Sequence, residues 1–289
     1  SLPALGYTVP HAALESRLAA RLSGQRIEVR HGAACEGIAL DPEGATVMLG
    51  SGEALRARLL VIADGGSSAA RIPGVAFREK DYAQEAVVGM VRTDRAHGGR
   101  AYERFTPEGP LALLPVADRY ALVWTAQPAR ARELLALDEA SFLAGLQVAF
   151  GDRAGRFTAI ESRNAFPLRL RTVNTPVALR TVIVGNAAQA LHPVAGQGLN
   201  LGLRDAAALA DLLRASPEAA GSREMLDAYR AARRRDASRG VVFTDLLVSI
   251  FADGRRLPTW GRGLALAAFD LLPPARRLLA ERMIHGAPS

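Results

Sequence analysis

The sequence predicts an α/β fold with an inserted, mostly antiparallel sheet and a C-terminal helical region. Two short apolar runs, Ala57–Ala63 and Thr181–Val184, are typical of buried parallel strands, and each leads into a glycine-containing turn. Between them, residues 82–127 alternate strand-like runs with Gly, Pro and Asp turns, which favours antiparallel strands. Residues 222–252 and 260–284 carry helical patterns.

The first part of the chain predicts one helix and several strands. Leu14, Leu18 and Leu22 recur at helical spacing, so we expect a helix over His11–Leu22. The D-P-E-G segment at residues 41–44 predicts a turn between two strands. The predicted strands before the first apolar run are Arg26–Arg30, Gly37–Leu40 and Ala45–Leu49.

The middle of the chain returns from the inserted sheet to the first domain. Helical patterns follow the sheet at Ala129–Leu137 and Glu139–Phe150, and Phe157–Leu170 has the pattern of one long strand. After the second apolar run, Leu199–Arg214 predicts a helix with leucines on one side. No internal repeat is visible.

Composition excludes several classes of function. A single cysteine, Cys35, excludes an intramolecular disulfide and a thiolate metal cluster, and we interpret it as a packing residue. The histidines show no metal-ligand spacing, so no metal site is predicted. The net charge is +7, but the arginines at 233–235 have no aromatic neighbours to stack on bases, so we expect no nucleic-acid binding. A solvated helix or an anionic membrane surface explains them better.

The first apolar run ends in an acidic residue and two glycines. The segment from Leu59 to Arg71 reads LLVIADGGSSAAR. Glycines at 65 and 66 allow a ligand to approach the backbone closely, and Asp64 can accept hydrogen bonds from hydroxyl groups or orient the loop. An ordinary strand-to-helix turn explains this segment alone equally well.

The second run leads into a more specific segment. Residues 185–205 read GNAAQALHPVAGQGLNLGLRD, in which small residues allow close packing and glycines 196 and 198 precede a helix. The first amides of that helix have no partners within the helix. Together with the helix dipole they favour a group that carries or develops negative charge.

The two segments together resemble the single-component flavin monooxygenases related to para-hydroxybenzoate hydroxylase. That family's D-G-x-x-S-x-x-R motif is matched by Asp64, Gly65, Ser68 and Arg71. Its second motif, Gly-Asp-Ala-Ala followed by Pro and G-x-G-x-N, is matched by Gly185, Ala187, Ala188, Gln189, Pro193, Gly196, Gly198 and Asn200. Asn186 stands where most members of the family have Asp. With this Asn and with its C-terminal residues, the sequence is similar to the 2-polyprenyl-6-methoxyphenol hydroxylases of ubiquinone biosynthesis.

This resemblance implies a fold, cofactors and a site. It implies a para-hydroxybenzoate hydroxylase-like FAD domain from residues 1–75 and 171–220, a substrate-binding sheet at 76–170 and C-terminal helices at 221–289. FAD, NAD(P)H as reductant, O2 and a prenylated phenol substrate are implied as well. The implied cofactor-binding residues are Asp64, Gly65, Ser68, Arg71, Gly185, Asn186, Pro193, Gly196, Gln197, Gly198, Leu199 and Asn200. The resemblance names no catalytic base in this chain.

One part of the family pattern does not occur in the sequence. The G-x-G-x-x-G of an ADP-binding βαβ unit is absent, so we expect an N-terminally truncated fragment that binds FAD weakly or not at all and is inactive alone. We expect a cytoplasmic protein, peripheral on the inner membrane. As further partners we expect a second copy of the chain or a quinone-biosynthesis complex.

Two rival functions remain at the level of sequence. A flavin-dependent halogenase or prenyl reductase would keep the fold, but Trp124 and Trp260 do not form the Trp-rich motif of halogenases. The second rival is a flavin-free lipid-binding or scaffold protein of a quinone-biosynthesis complex, for which basic C-terminal helices would also serve.

Overall fold

The computed structural model describes Ala4, residues 6–191 and residues 196–234, and it divides into two units. In the described part, the first unit contains residues 4–28 and 82–168 without residue 5. The second contains the described residues of 29–81 and 169–234.

In the described part of the chain, the strands come in two long runs separated by a pair of helices. Short three-residue helical turns also occur, at Ala69–Arg71, Gly185–Ala187 and Pro217–Ala219, and residues 223–234 are helical. The other elements are α1 (His11–Ser23), β1 (Cys35–Asp41), β2 (Gly44–Leu49), β3 (Ala54–Ala57), β4 (Leu60–Ile62), β5 (Phe77–Thr93), β6 (Tyr102–Thr106), β7 (Gly109–Val116), β8 (Arg119–Ala126), α2 (Pro128–Ala136), α3 (Glu139–Phe150), β9 (Phe157–Val173), β10 (Val177–Ala178), β11 (Thr181–Ile183), β12 (Gln189–Ala190) and α4 (Gln197–Ala215).

The first unit is built on the predicted antiparallel sheet, whose strand order is β9-β5-β8-β7-β6. One face of this sheet packs on α2 and α3. Trp124 and Leu111 on that face are buried together with Phe142 and Leu146 of α3, and the rings of Trp124 and Phe142 meet edge to face with centroids 5.8 Å apart. Removing these side chains from water supplies most of the stability of such a layer.

The opposite face of the same sheet is apolar but only half-buried. Strand register places its side chains in two rows across β5, β8 and β7, because alternate residues of a strand point to opposite faces. The rows are Met90, Ala121, Leu114 and Val88, Val123, Ala112, and all six are partly exposed. We call these six residues the apolar sheet face.

The second unit contains two small sheets. Strands β1, β2 and β3 form an antiparallel sheet in that order, with the predicted turn at 41–44 between the first two. In the other sheet, of order β10-β11-β4, β4 runs parallel to β11. Strand β12 adds to the end of β9, with Gln189 opposite Thr172.

Several predicted elements need correction. No strand forms at Arg26–Arg30, where Ile27 and Val29 are 55% and 49% exposed, because no described strand lies beside them to supply hydrogen bonds. The predicted strand Ala57–Ala63 is the shorter β4, and Val61 is 41% exposed rather than buried on both faces, because β4 is an edge of its sheet in the described part.

The remaining predicted elements agree with the structure or lie outside it. The helix at 11–22 forms, although α1 has no buried residue. The predictions for α2, α3, β9 and α4 are confirmed to within a few residues at each end. Beyond residue 234, the predicted C-terminal helices lie outside the described residues.

Candidate functional site

The two glycine motifs follow neighbouring parallel strands. Ile62 at the end of β4 lies opposite Ile183 at the end of β11, and the amide of Val184 donates to the Ile62 carbonyl at 3.0 Å. Because parallel strands end at the same edge of a sheet, the turns that follow them are brought side by side. A Cβ on Gly66 would lie only 3.4 Å from the carbonyl oxygen of Ala187. The structure therefore joins the two motifs into one candidate site.

Asp64 organises the first turn. Its Oδ1 accepts a hydrogen bond from the Gly66 amide at 2.8 Å, and its Oδ2 accepts from the Ser67 hydroxyl at 2.6 Å and the Ser68 amide at 2.8 Å. Partial burial alone would raise the pKa of Asp64, but these hydrogen bonds outweigh it and lower that pKa to about 2. Asp64 is thus a charged, fixed group that orients the loop, one of the two roles open to it from sequence.

Two arginines flank this turn, and only one of them was predicted. Arg71 is exposed, and its guanidinium donates to the Cys35 carbonyl. Arg171 donates to the Gly65 carbonyl and stacks on the ring of Phe77, 4.7 Å from the ring centroid. A Cβ on Gly66 would meet only the movable end of the Arg171 side chain, so it is the φ of +99° that favours glycine at this position. Sequence reasoning missed Arg171 because it lies on a distant strand.

The second turn brings helix α4 close to the backbone of the strand end. Gly185 has a φ of +59°, and a Cβ on Gly202 would lie 3.2 Å from the Gly185 Cα. Two glycines therefore face each other where α4 crosses the turn. Asn186 is exposed, and no hydrogen bond within the described part of the chain occupies its side chain. Ala187 and Ala188 are buried behind it.

Helix α4 begins at the glycine-rich segment. Gly196, in the left-handed conformation with φ 59° and ψ 26°, precedes the first turn and offers no side chain to cap it. Gly198 is half-buried, and Leu199 and Asn200 are exposed. The first turn holds no acidic residue, so no carboxylate of that turn compensates the positive end of the helix dipole. Pro193 lies outside the described residues, and of Gln197 only the backbone is described.

A buried carboxylate, which sequence reasoning also missed, ties these elements together. Asp205 of α4 is 2% exposed. Its Oδ2 accepts from the Gly185 amide at 2.9 Å and from Gln189 Nε2 at 3.3 Å, and its Oδ1 accepts from Arg233 Nε at 2.6 Å. Asp205 ends the glycine-rich segment quoted above, and an acidic residue among the apolar positions of a helix is the only local signal for it.

Asp205 and Arg233 line a cavity of about 610 Å³ in the second unit. Burial raises the pKa of the Tyr229 hydroxyl in its wall, and the negative charge of Asp205 raises it further, against the opposing effect of Arg233. The wall also contains Thr172, Asn174, Thr175, Gln189, Arg230 and Arg234.

The chain belongs to the FAD-dependent aromatic monooxygenases: residues 3–244 match the FAD binding domain family. The chain is 39% identical over 243 residues to the ubiquinone hydroxylase UbiL of Rhodospirillum rubrum, covering 82% of this chain and 57% of that protein. It is 35% identical over 241 residues to the 3-demethoxyubiquinol 3-hydroxylase of Escherichia coli, covering 81% of this chain and 61% of that one.

Solved structures confirm the predicted fold class. The p-nitrophenol 4-monooxygenase PnpA of Pseudomonas putida superposes with a TM-score of 0.76 over 97% of this chain and 74% of its own, at 19% identity. The chain spans 57–61% of the length of the two ubiquinone-pathway relatives. In the described part of the chain, no helix is both long enough and apolar enough to cross a membrane.

Proposed function

We propose that this chain provides the flavin site and the substrate-binding sheet of a monooxygenase that hydroxylates a prenylated phenol in ubiquinone biosynthesis. The observation that carries the proposal is the pair of glycine turns at one edge of a parallel sheet, in a chain that belongs to the FAD-binding family. The relatives' names supply the substrate class.

The residues present fit a flavin. Glycines 66 and 185 leave backbone surface open where a Cβ would be strained or would clash, and the exposed start of α4 offers amides to an electron-rich ring. The exposed side chain of Asn186 is available to hydroxyl groups of the cofactor chain, while Asp64 keeps the first turn in place. When bound, FAD reduced by NAD(P)H supplies the activation of O2 that transfers one oxygen atom to the phenol ring.

The apolar sheet face supports a prenylated substrate. Its six residues carry no charge, and their partial exposure leaves apolar surface for an isoprenoid chain to cover. A substrate of this kind partitions into lipid, so we place the protein on the cytoplasmic side of the inner membrane. A quinone-biosynthesis complex or a homo-oligomer would deliver and shield such a substrate.

Titration of the chain with FAD, followed by quenching of flavin fluorescence, tests the flavin site. Of the two outcomes that the sequence predicts, weak binding or none, the proposed site commits to weak but saturable quenching. Asn186→Ala should weaken binding about two- to tenfold, the cost of one lost hydrogen bond, without changing the circular dichroism spectrum. Asn164→Ala removes an exposed asparagine of the first unit and is the matched control, with unchanged affinity.

Two outcomes would count against the proposal. Absence of saturable quenching at high-micromolar FAD would contradict a flavin site built from these residues. Binding of a prenylated phenol without any flavin binding would instead favour the flavin-free lipid-binding protein. Hydroxylation itself is checked by NAD(P)H consumption and by the gain of one oxygen atom in the product mass.

A further inference from the structure

The carboxylate of Asp205 joins four segments of the second unit. It accepts hydrogen bonds from the turn after β11, from β12 and from the helix of residues 223–234, and it belongs to α4 itself. The side chains of Asp205 and Arg233 are 2% and 7% exposed. No other carboxylate in the described residues has hydrogen bonds to so many separate elements of the candidate site.

Stability alone is a poor reason for such an arrangement. Burying two charges costs several kcal/mol of desolvation, so a buried ion pair seldom stabilises a fold more than apolar side chains of the same size. The ion pair instead fixes the direction of a hydrogen bond. The Asp205 oxygen accepts from the amide of Gly185, which directly precedes Asn186.

The close packing around Gly185 makes hydrogen bonds important for the orientation of this turn. The backbone of the turn lies against Gly202 of α4 with no side chain between them, so its orientation there depends on backbone hydrogen bonds. The Gly185 amide donates to Asp205, and the Gly185 carbonyl accepts from the Ala188 amide at 2.9 Å. Arg233 holds the carboxylate in the rotamer that reaches Gly185.

We propose that Asp205, held by Arg233, is a positioning residue for flavin binding: it orients the Gly185–Asn186 turn and fixes the start of α4 against it. This inference rests on the proposed function. It adds two residues to which the resemblance gave no role, Asp205 at the end of the second glycine segment and Arg233 beyond it, and it assigns them no contact with the cofactor.

A pair of double variants separates orientation from packing. Asp205→Asn with Arg233→Met removes both charges but keeps an oxygen that accepts from Gly185. Asp205→Leu with Arg233→Met removes the charges and the acceptor. Replacing a buried ion pair by neutral groups of similar volume is tolerated by many folds, so both variants should fold, as judged by circular dichroism.

We expect the Asp205→Leu, Arg233→Met variant (the Leu/Met variant) to bind FAD about tenfold or more weakly than the wild-type chain. The Asp205→Asn, Arg233→Met variant (the Asn/Met variant) should retain most of the wild-type affinity. Hydrogen exchange in the absence of flavin should show faster exchange of the Gly185 amide in the Leu/Met variant, with unchanged protection in α3. Asp211→Ala removes an exposed carboxylate from the same helix, which forms an ion pair with the exposed Arg214, and should leave affinity unchanged.

The outcomes distinguish the two proposals. Equal FAD affinity in the two double variants would overturn the positioning role while leaving the flavin site intact. A wild-type chain that binds no FAD would overturn the proposed function, and the positioning role with it. A fall in affinity confined to the Leu/Met variant, with faster exchange at Gly185, would support both.

Discussion

At the scale of single residues, the candidate site depends on carboxylates that orient backbone rather than on groups poised to react. Asp64 and Asp205 each accept backbone amides, one in each glycine turn. Asp64 is held in its charged form by the hydrogen bonds of its own loop, and Asp205 is paired with Arg233. No general base emerges from this arrangement in the described residues. A site of this kind supplies shape and electrostatics, and a bound cofactor supplies the reactivity.

Asp64 should make the stability of the chain depend on pH in acid. Its pKa of about 2 in the folded chain lies below the ordinary 3.8, so its stabilising contribution is complete above that ordinary value and is lost as the pH falls through about 2. Comparison of urea unfolding of the wild-type chain and Asp64→Asn between about pH 6 and about pH 2 measures this contribution, most of which is lost over that range.

The difference in free energy of unfolding between the two proteins should be constant near neutral pH and shrink in acid. Other carboxylates titrate in both proteins, so their effects cancel in the difference. A difference that stays constant down to the lowest pH would show that the Asp64 hydrogen bonds do not favour its charged form.

At the scale of elements, two neighbouring residues of strand β7 have different roles: one packs in the core and the other is proposed to bind substrate. Leu113 is fully buried against α2 and α3, while Leu114 belongs to the apolar sheet face. Leu113→Ala should lower the free energy of unfolding by about 2–5 kcal/mol, because it leaves a cavity in the core. Leu114→Ala should cost less stability but weaken binding of a prenylated phenol.

Chemical denaturation and a binding titration with the prenylated phenol check both expectations on the same two variants. A ligand that loses equal affinity in folded Leu113→Ala and Leu114→Ala would show that the apolar sheet face does not bind it. Phe142→Ala, on the α3 side of the core, provides a second variant that affects packing alone.

At the scale of the whole molecule, the sequence predicts what local signals determine. Helix α3 was predicted with its bounds because Asp138 caps its start through the Ser141 amide and Gly151, with φ +82°, ends it. The strand at 26–30 was wrong because alternation of side chains cannot provide a neighbouring strand. Arg171 was not predicted because it lies 106 residues from Gly65 in the sequence and contacts it only in the folded chain. The motifs predict which turns form the site, and tertiary contacts decide what holds them.

The net charge of the chain leads to a final expectation about where it works. The chain has 36 Lys and Arg residues and 29 Asp and Glu residues. Each basic residue close to an anionic lipid surface contributes about 1 kcal/mol of binding free energy. The chain should therefore sediment with vesicles that contain phosphatidylglycerol and much less with vesicles of phosphatidylcholine alone. Salt at about 0.5 M should release it, because charges are then screened within a few ångströms. Equal, salt-insensitive binding to both vesicle types would show that apolar contacts rather than charge bring the chain to a membrane.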